Sequence, residues 1–106
     1  MIKDFLFFNY SWVPNSTFIF KSIEKLGYSC DWVDEKNITT FVPSSKYRCV
    51  ILYLHESWTI PFSNYIINNY CQNSILIQHD DTDEENVQNW SERVPDIVMQ
   101  REYTSN

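Results

Sequence analysis

With 106 residues and a net charge of −6, the chain has the length of one domain that can bury a core, and its 17% aromatic content excludes a disordered chain. A single glycine, Gly27, excludes a GxGxxG dinucleotide turn and a Gly-rich phosphate loop, because both need several glycines for close backbone approach. The acidic balance argues against nucleic acid or an anionic membrane as partner, and its simpler role is to keep a small domain in solution.

Residues 5–8 (Phe-Leu-Phe-Phe) read as a first strand, apolar on both faces and therefore central. The chain leaves it through Asn9, Tyr10, Ser11, Trp12, Val13 and Pro14, a polar and aromatic loop. Asn15 or Ser16 is the expected cap of a helix whose inward face carries Ile19, Ile23 and Leu26 at i, i+4 and i+7. Gly27 is its expected left-handed C-terminal cap, with Tyr28 as the accompanying apolar contact. Residues 30–33 form a second, shorter strand, and the β-branched residues 39–42 suggest a short edge strand that Pro43 stops.

Residues 49–54 (Cys-Val-Ile-Leu-Tyr-Leu) are a long buried strand ending in His55, Glu56, Ser57, Trp58 and Thr59. Pro61 suits the first position of a helix with Phe62, Ile66 and Tyr70 facing inward. Ile75, Leu76 and Ile77 read as another strand, buried on both faces, which runs into His79 and the carboxylates of Asp80, Asp81, Asp83, Glu84 and Glu85. Val87, Trp90 and Val94 predict a helix over residues 83–93, and residues 96–99 a last short strand.

Strands alternating with helices predict a three-layer, Rossmann-like or flavodoxin-like α/β domain over residues 1–106, with a mostly parallel sheet of about five strands. The first strand is expected between those at Cys30 and Cys49, with the strand at Ile75 beyond Cys49 and that at Ile97 outermost. Cys30, Cys49 and Cys71 show no metal-ligand spacing and read as reduced thiols. The N-terminus lacks a signal-peptide pattern and no run reaches membrane-spanning length, so a cytoplasmic protein is expected.

In this order the chain resembles the N-terminal Rossmann-like half of GT-B glycosyltransferases, most closely the spore-maturation type. The resemblance rests on Phe5-Leu6-Phe7-Phe8-Asn9-Tyr10, on residues 16–27 as a first helix that closes in Leu26-Gly27 and is followed by Tyr28, and on Val50-Ile51-Leu52-Tyr53-Leu54-His55. It continues in Ile75-Leu76-Ile77-Gln78-His79-Asp80-Asp81 and in Pro95-Asp96-Ile97-Val98. It implies the acceptor side of a glycosyltransferase, with the sugar donor held by a second α/β domain. The expected partners are thus a sugar or glycan acceptor and that second domain, with no cofactor. Transfer by the isolated chain is not expected. The alternative is a non-catalytic α/β interaction domain, dimeric through an exposed sheet face.

Thr82, Asp83, Glu84 and Glu85 fit a helix capping box, whose acids also favour the helix dipole. Asp80 and Asp81 precede it, so they are open to sugar hydroxyls or to weak binding of a divalent cation, and too few for a closed metal site. Five carboxylates at one edge would repel a phosphate, which fits an acceptor half better than a nucleotide site. His55 and Asp81 are the catalytic candidates, an imidazole near neutrality suiting proton removal from a sugar hydroxyl. Asn9, Tyr10, Ser11, Trp12, Glu56, Trp58, His79 and Asp80 are the substrate-binding candidates. The bland alternatives are strand-end histidines and tryptophans that pack the loops down.

Overall fold

The computed structural model describes residues 1–80 and 89–100. In chain order it contains β1 (Ile2–Phe8), α1 (Pro14–Lys25), β2 (Cys30–Val33), β3 (Lys46–Leu52), α2 (Ile60–Tyr70), β4 (Ile75–Asp80) and β5 (Ile97–Gln100). The strands make one sheet in the order β2-β1-β3-β4-β5, with every neighbouring pair parallel. This is the strand order expected from the sequence and that of the flavodoxin-like class.

Aligned residues of parallel strands point to the same face, and successive residues to opposite faces. Phe7 pairs with Trp32 and Ile51, and α1 covers this face by placing the Phe20 ring 5.0 Å from Phe7 and 4.9 Å from Trp32. Leu6, Phe8, Val50, Leu52 and Leu76 point the other way, into one buried cluster with Ile66 and Ile67 of α2. The result is three layers, helix on sheet on helix. At about 25 cal/mol per Å² of apolar surface, burial on the α2 side contributes strongly to stability, because all of these side chains are inaccessible.

Several local expectations are corrected. The first helix begins at Pro14, so Asn15 and Ser16 lie inside it; Val13 holds the cap position without a side-chain cap. Pro14 suits the first turn, where its missing N–H costs nothing. Gly27 does turn the chain, at φ +97°, and the N–H groups of Leu26, Gly27 and Tyr28 return to the last turn. That turn carries Leu26 off the inward face into solvent.

Residues 39–42 form no strand. Asn37 Oδ1 accepts from the Asp34 N–H at 2.7 Å, Asp34 Oδ1 accepts from the Lys36 N–H, and Ile38 and Phe41 donate to the carbonyls of Asp34 and Asn37. Asx side chains offer the backbone these local partners, and here they outcompete β propensity. The inward face of α2 carries Ser63, Asn64, Ile66 and Ile67, while Phe62 and Tyr70 are exposed. Asn64 tolerates burial because its Oδ1 accepts the Glu92 N–H at 3.0 Å.

For the expected helix over residues 83–93, residues 83–88 lie outside the described residues, and residues 89–93 are irregular. Arg93 sets their path: its guanidinium donates to the carbonyls of Cys71 and Ser74 and to Asp96. Trp90 is core as expected, but Val94 is exposed.

At the opposite end of the sheet, Asp31 accepts from Lys3 Nζ at 2.8 Å and from the Tyr47 hydroxyl. Burial alone would raise its pKa, yet these two donors hold the carboxyl below its usual range. Burial and the same carboxylate raise the Tyr47 phenol in turn. All three cysteines are free thiols, and burial pushes that of Cys71 up to about 11.

Two outcomes follow. Ile67→Ala should cost about 2–5 kcal/mol in urea denaturation, against less than about 1 kcal/mol for Phe62→Ala. The lowered pKa of Asp31 means that its stabilisation is present above the unfolded carboxylate value and lost as pH falls through the lower folded value. Denaturation from neutral pH to about pH 2 should show Asp31→Asn less stable at neutral pH and less acid-sensitive below about pH 4.

Candidate functional site

In an open α/β sheet, ligands bind beyond the strand C-termini where the winding reverses. Here β1 leads through α1 to β2 on one side, and β3 leads through α2 to β4 on the other. The reversal therefore lies between β1 and β3, and the loops that follow them, residues 9–13 and 53–59, meet there.

Tyr10 joins the two loops. Its ring is buried, and its hydroxyl oxygen accepts the Glu56 N–H at 2.6 Å. Thr59 Oγ1 donates to the Glu56 carbonyl at 2.8 Å, which commits its only proton. The 3.3 Å contact between the two hydroxyls is therefore donated by Tyr10 to Thr59. Glu56 N–H, Tyr10 O–H and Thr59 O–H thus form a closed ring of donors returning to Glu56.

Around this ring stand aromatic groups. Trp12 stacks on Tyr10 with centroids 4.6 Å apart and is still 59% exposed. His55 is half-buried and lies edge-on to Tyr10 and Tyr53, with the Trp90 ring 4.9 Å away. His79 is half-buried with its ring 5.3 Å from Tyr53. Trp58 is 46% exposed, and its indole N–H donates to the Glu56 carboxylate at 2.9 Å. Ser11 is held from the β2 side, its N–H and hydroxyl both donating to the Glu35 carboxylate, at 2.7 and 3.0 Å.

The residues proposed from the sequence divide into two groups. Ser11, Trp12, His55, Glu56, Trp58 and His79 reach the rim with some surface in solvent. Asn9, Tyr10 and Asp80 are buried. Asn9 Oδ1 accepts the Tyr10 N–H, and the Asn9 N–H bonds to the Val33 carbonyl, so both hold the loop in shape. Asp81 lies outside the described residues. Tyr53, Trp90, Thr59 and Glu35 were missed as members of the site. Tyr53 extends an apolar run that reads as strand interior, and Glu35 is remote in sequence from everything it holds.

Among the described residues, no three His, Cys, Asp or Glu side chains gather as a metal site, and no helix is long and apolar enough to cross a membrane. The fold and rim define a small α/β domain of the Rossmann-like class with an aromatic edge at the winding reversal. Comparison with family models, curated proteins and solved structures returned no match. The chemistry of the rim must therefore carry the functional reading, since fold alone assigns no activity.

The Trp58–Glu56 contact is exposed, so its removal should change local order more than stability. Glu56→Ala is expected to shift stability by no more than about 0.5 kcal/mol. Time-resolved fluorescence with Trp58→Phe as the reference should show faster depolarisation of Trp58 in that variant.

Proposed function

We propose that the chain is the acceptor-binding half of a two-domain glycosyltransferase of the GT-B kind, acting in the cytoplasm and transferring no sugar alone. The observation that carries this reading is the pair of exposed tryptophans fixed at the winding reversal, Trp12 on Tyr10 and Trp58 on Glu56. Aromatic rings already held in place contribute contact area with little further loss of side-chain entropy on binding. They suit the C–H faces of a pyranose, while Glu56 and the carbonyls and hydroxyls of the loops suit its O–H groups.

His55, in the loop after β3 and edge-on to Tyr10 of the loop after β1, is the group to take a proton from an acceptor hydroxyl. Asp81, next in sequence after β4, is the candidate to assist it. The donor sugar would come from a second domain closing over this rim.

Titrating the labelled chain with a panel of oligosaccharides should move amide signals of residues 9–12 and 55–59. Incubation with nucleotide sugars should yield no product. Shifts confined to the opposite edge, near Gly27, Cys71 and Pro95, would place the ligand elsewhere, and measurable transfer would refute the two-domain reading.

One observation favours the second reading, an interaction domain. Cys49, Ile75, Ile77, Ile97 and Met99 share the α1 face of the sheet by their pairing. Ile75, Ile97 and Met99 are exposed there. An uncovered apolar strip of this kind marks an interface. If it pairs two copies, sedimentation should show a dimer that Ile97→Glu converts to monomer.

A further inference from the structure

Beside the rim, Ser11, Trp12, Pro14, Thr17, Phe18 and Lys21 line a groove of about 380 Å³ along the outside of the first turns of α1. That volume is at the low end for small-molecule sites and accommodates about one or two pyranose rings. Its lining includes two exposed aromatic side chains, Trp12 and Phe18, the latter 71% exposed.

The polar groups of the groove are selective in kind. The Ser11 hydroxyl gives its proton to Glu35, and the Thr17 hydroxyl gives its own to the Val13 carbonyl at 2.9 Å. Each can therefore offer a ligand only lone pairs, and both call for a ligand that donates hydrogen bonds. Lys21 is the opposite case. Among the described residues the ion pairs are Lys3–Asp31, Arg48–Asp4 and Arg93–Asp96, and Lys21 belongs to none of them. Lys21 lines the groove and brings it a positive charge that no carboxylate among the described residues neutralises, so the groove can take an anion. The Glu35 carboxylate is engaged at Ser11, whose N–H and hydroxyl both donate to it.

A phosphate fits badly, since it brings three acceptor oxygens to two acceptors and one cation. A neutral sugar leaves Lys21 unused. A hexuronic acid has apolar ring faces for Trp12 and Phe18, hydroxyl donors for Ser11 and Thr17, and one carboxylate for Lys21. We propose that this groove binds a hexuronic acid unit of the glycan acceptor. The proposal deepens the acceptor-half reading and rests on it.

The test titrates the labelled chain with methyl β-glucuronide, methyl β-glucoside and inorganic phosphate, following amide signals by NMR. The glucuronide should move Ser11, Trp12, Thr17, Phe18 and Lys21 and bind more tightly than the glucoside. Lys21→Gln should weaken the glucuronide about two- to fivefold, as for an exposed ion pair, and leave the glucoside unchanged. Added salt should reproduce that loss. Phe18→Ala, at an exposed position, should weaken both sugars.

Equal affinity for the two sugars, or no effect of Lys21→Gln, would overturn the proposal. So would phosphate moving the same signals as strongly as the glucuronide. Sugar-induced shifts at residues 55–59 alone would overturn the groove assignment and leave the acceptor-half reading standing. No shift by either sugar at either place would overturn both.

Discussion

The hydroxyl of Tyr10, buried at the end of β1, accepts the Glu56 N–H and donates to Thr59, which in turn bonds back to Glu56. Each bond is worth only about 0.5–1.5 kcal/mol net, but a buried polar group left without a partner costs about 1–3 kcal/mol. The loop after β3 is therefore tied to the loop after β1, and the rim follows from that tie. Trp12 stacks on the same tyrosine, His55 leans on its edge, and Glu56, placed by its backbone, holds Trp58. Remove the hydroxyl and these side chains lose their common reference.

The sheet beneath makes this possible. Four strand pairings in a fixed parallel register bring the ends of β1 and β3 side by side, since Phe8 pairs with Leu52 and the Tyr53 N–H bonds to the Phe8 carbonyl at 2.9 Å. Apolar cover is unequal. The face under α2 is closed by Ile66, Ile67, Cys71 and Trp90, whereas the α1 face is closed mainly over β1 and β2. Ile75, Ile97 and Met99 are exposed on the α1 face of the sheet, and Trp12 before α1 and Phe18 within it are exposed as well. Polar chemistry is kept at the strand ends: Asp31 with Lys3 and Tyr47 at one end, the Tyr10 ring of hydrogen bonds at the other.

Much of the fold could be read from the sequence because it depends on periodicity. Continuous apolar runs mark the strands, and their alternation with helical segments gives a parallel order with β1 between β2 and β3; the run at Ile75–Ile77, however, is covered on one face only, with Ile75 exposed. Gly27 was legible for a similar reason, as φ +97° is costly for any other residue. The misread parts depend on partners distant in sequence. Asn64 is buried because Glu92 comes to it, which rotates the inward face of α2 away from Phe62 and Tyr70. Arg93 reaches three partners around Cys71, Ser74 and Asp96 and holds residues 89–93 off a helical path. For the site, the loops were legible as strand ends, but a role divided between exposed Trp12 and buried Tyr10 was not. Both are aromatic residues in a polar loop, and only the position of Thr59, 49 residues further on, separates them.

The most direct measurement of this account is amide hydrogen exchange at Glu56 in the native chain and in Tyr10→Phe. In the native chain the Glu56 N–H should be protected to the same degree as the amides of β1 and β3. In Tyr10→Phe its protection should fall by at least about tenfold while the strand amides keep theirs, and the amides of Trp58 and Thr59 should follow it. Unchanged protection of Glu56 in the variant would show that the loops hold each other without the tyrosine hydroxyl, and would contradict the account.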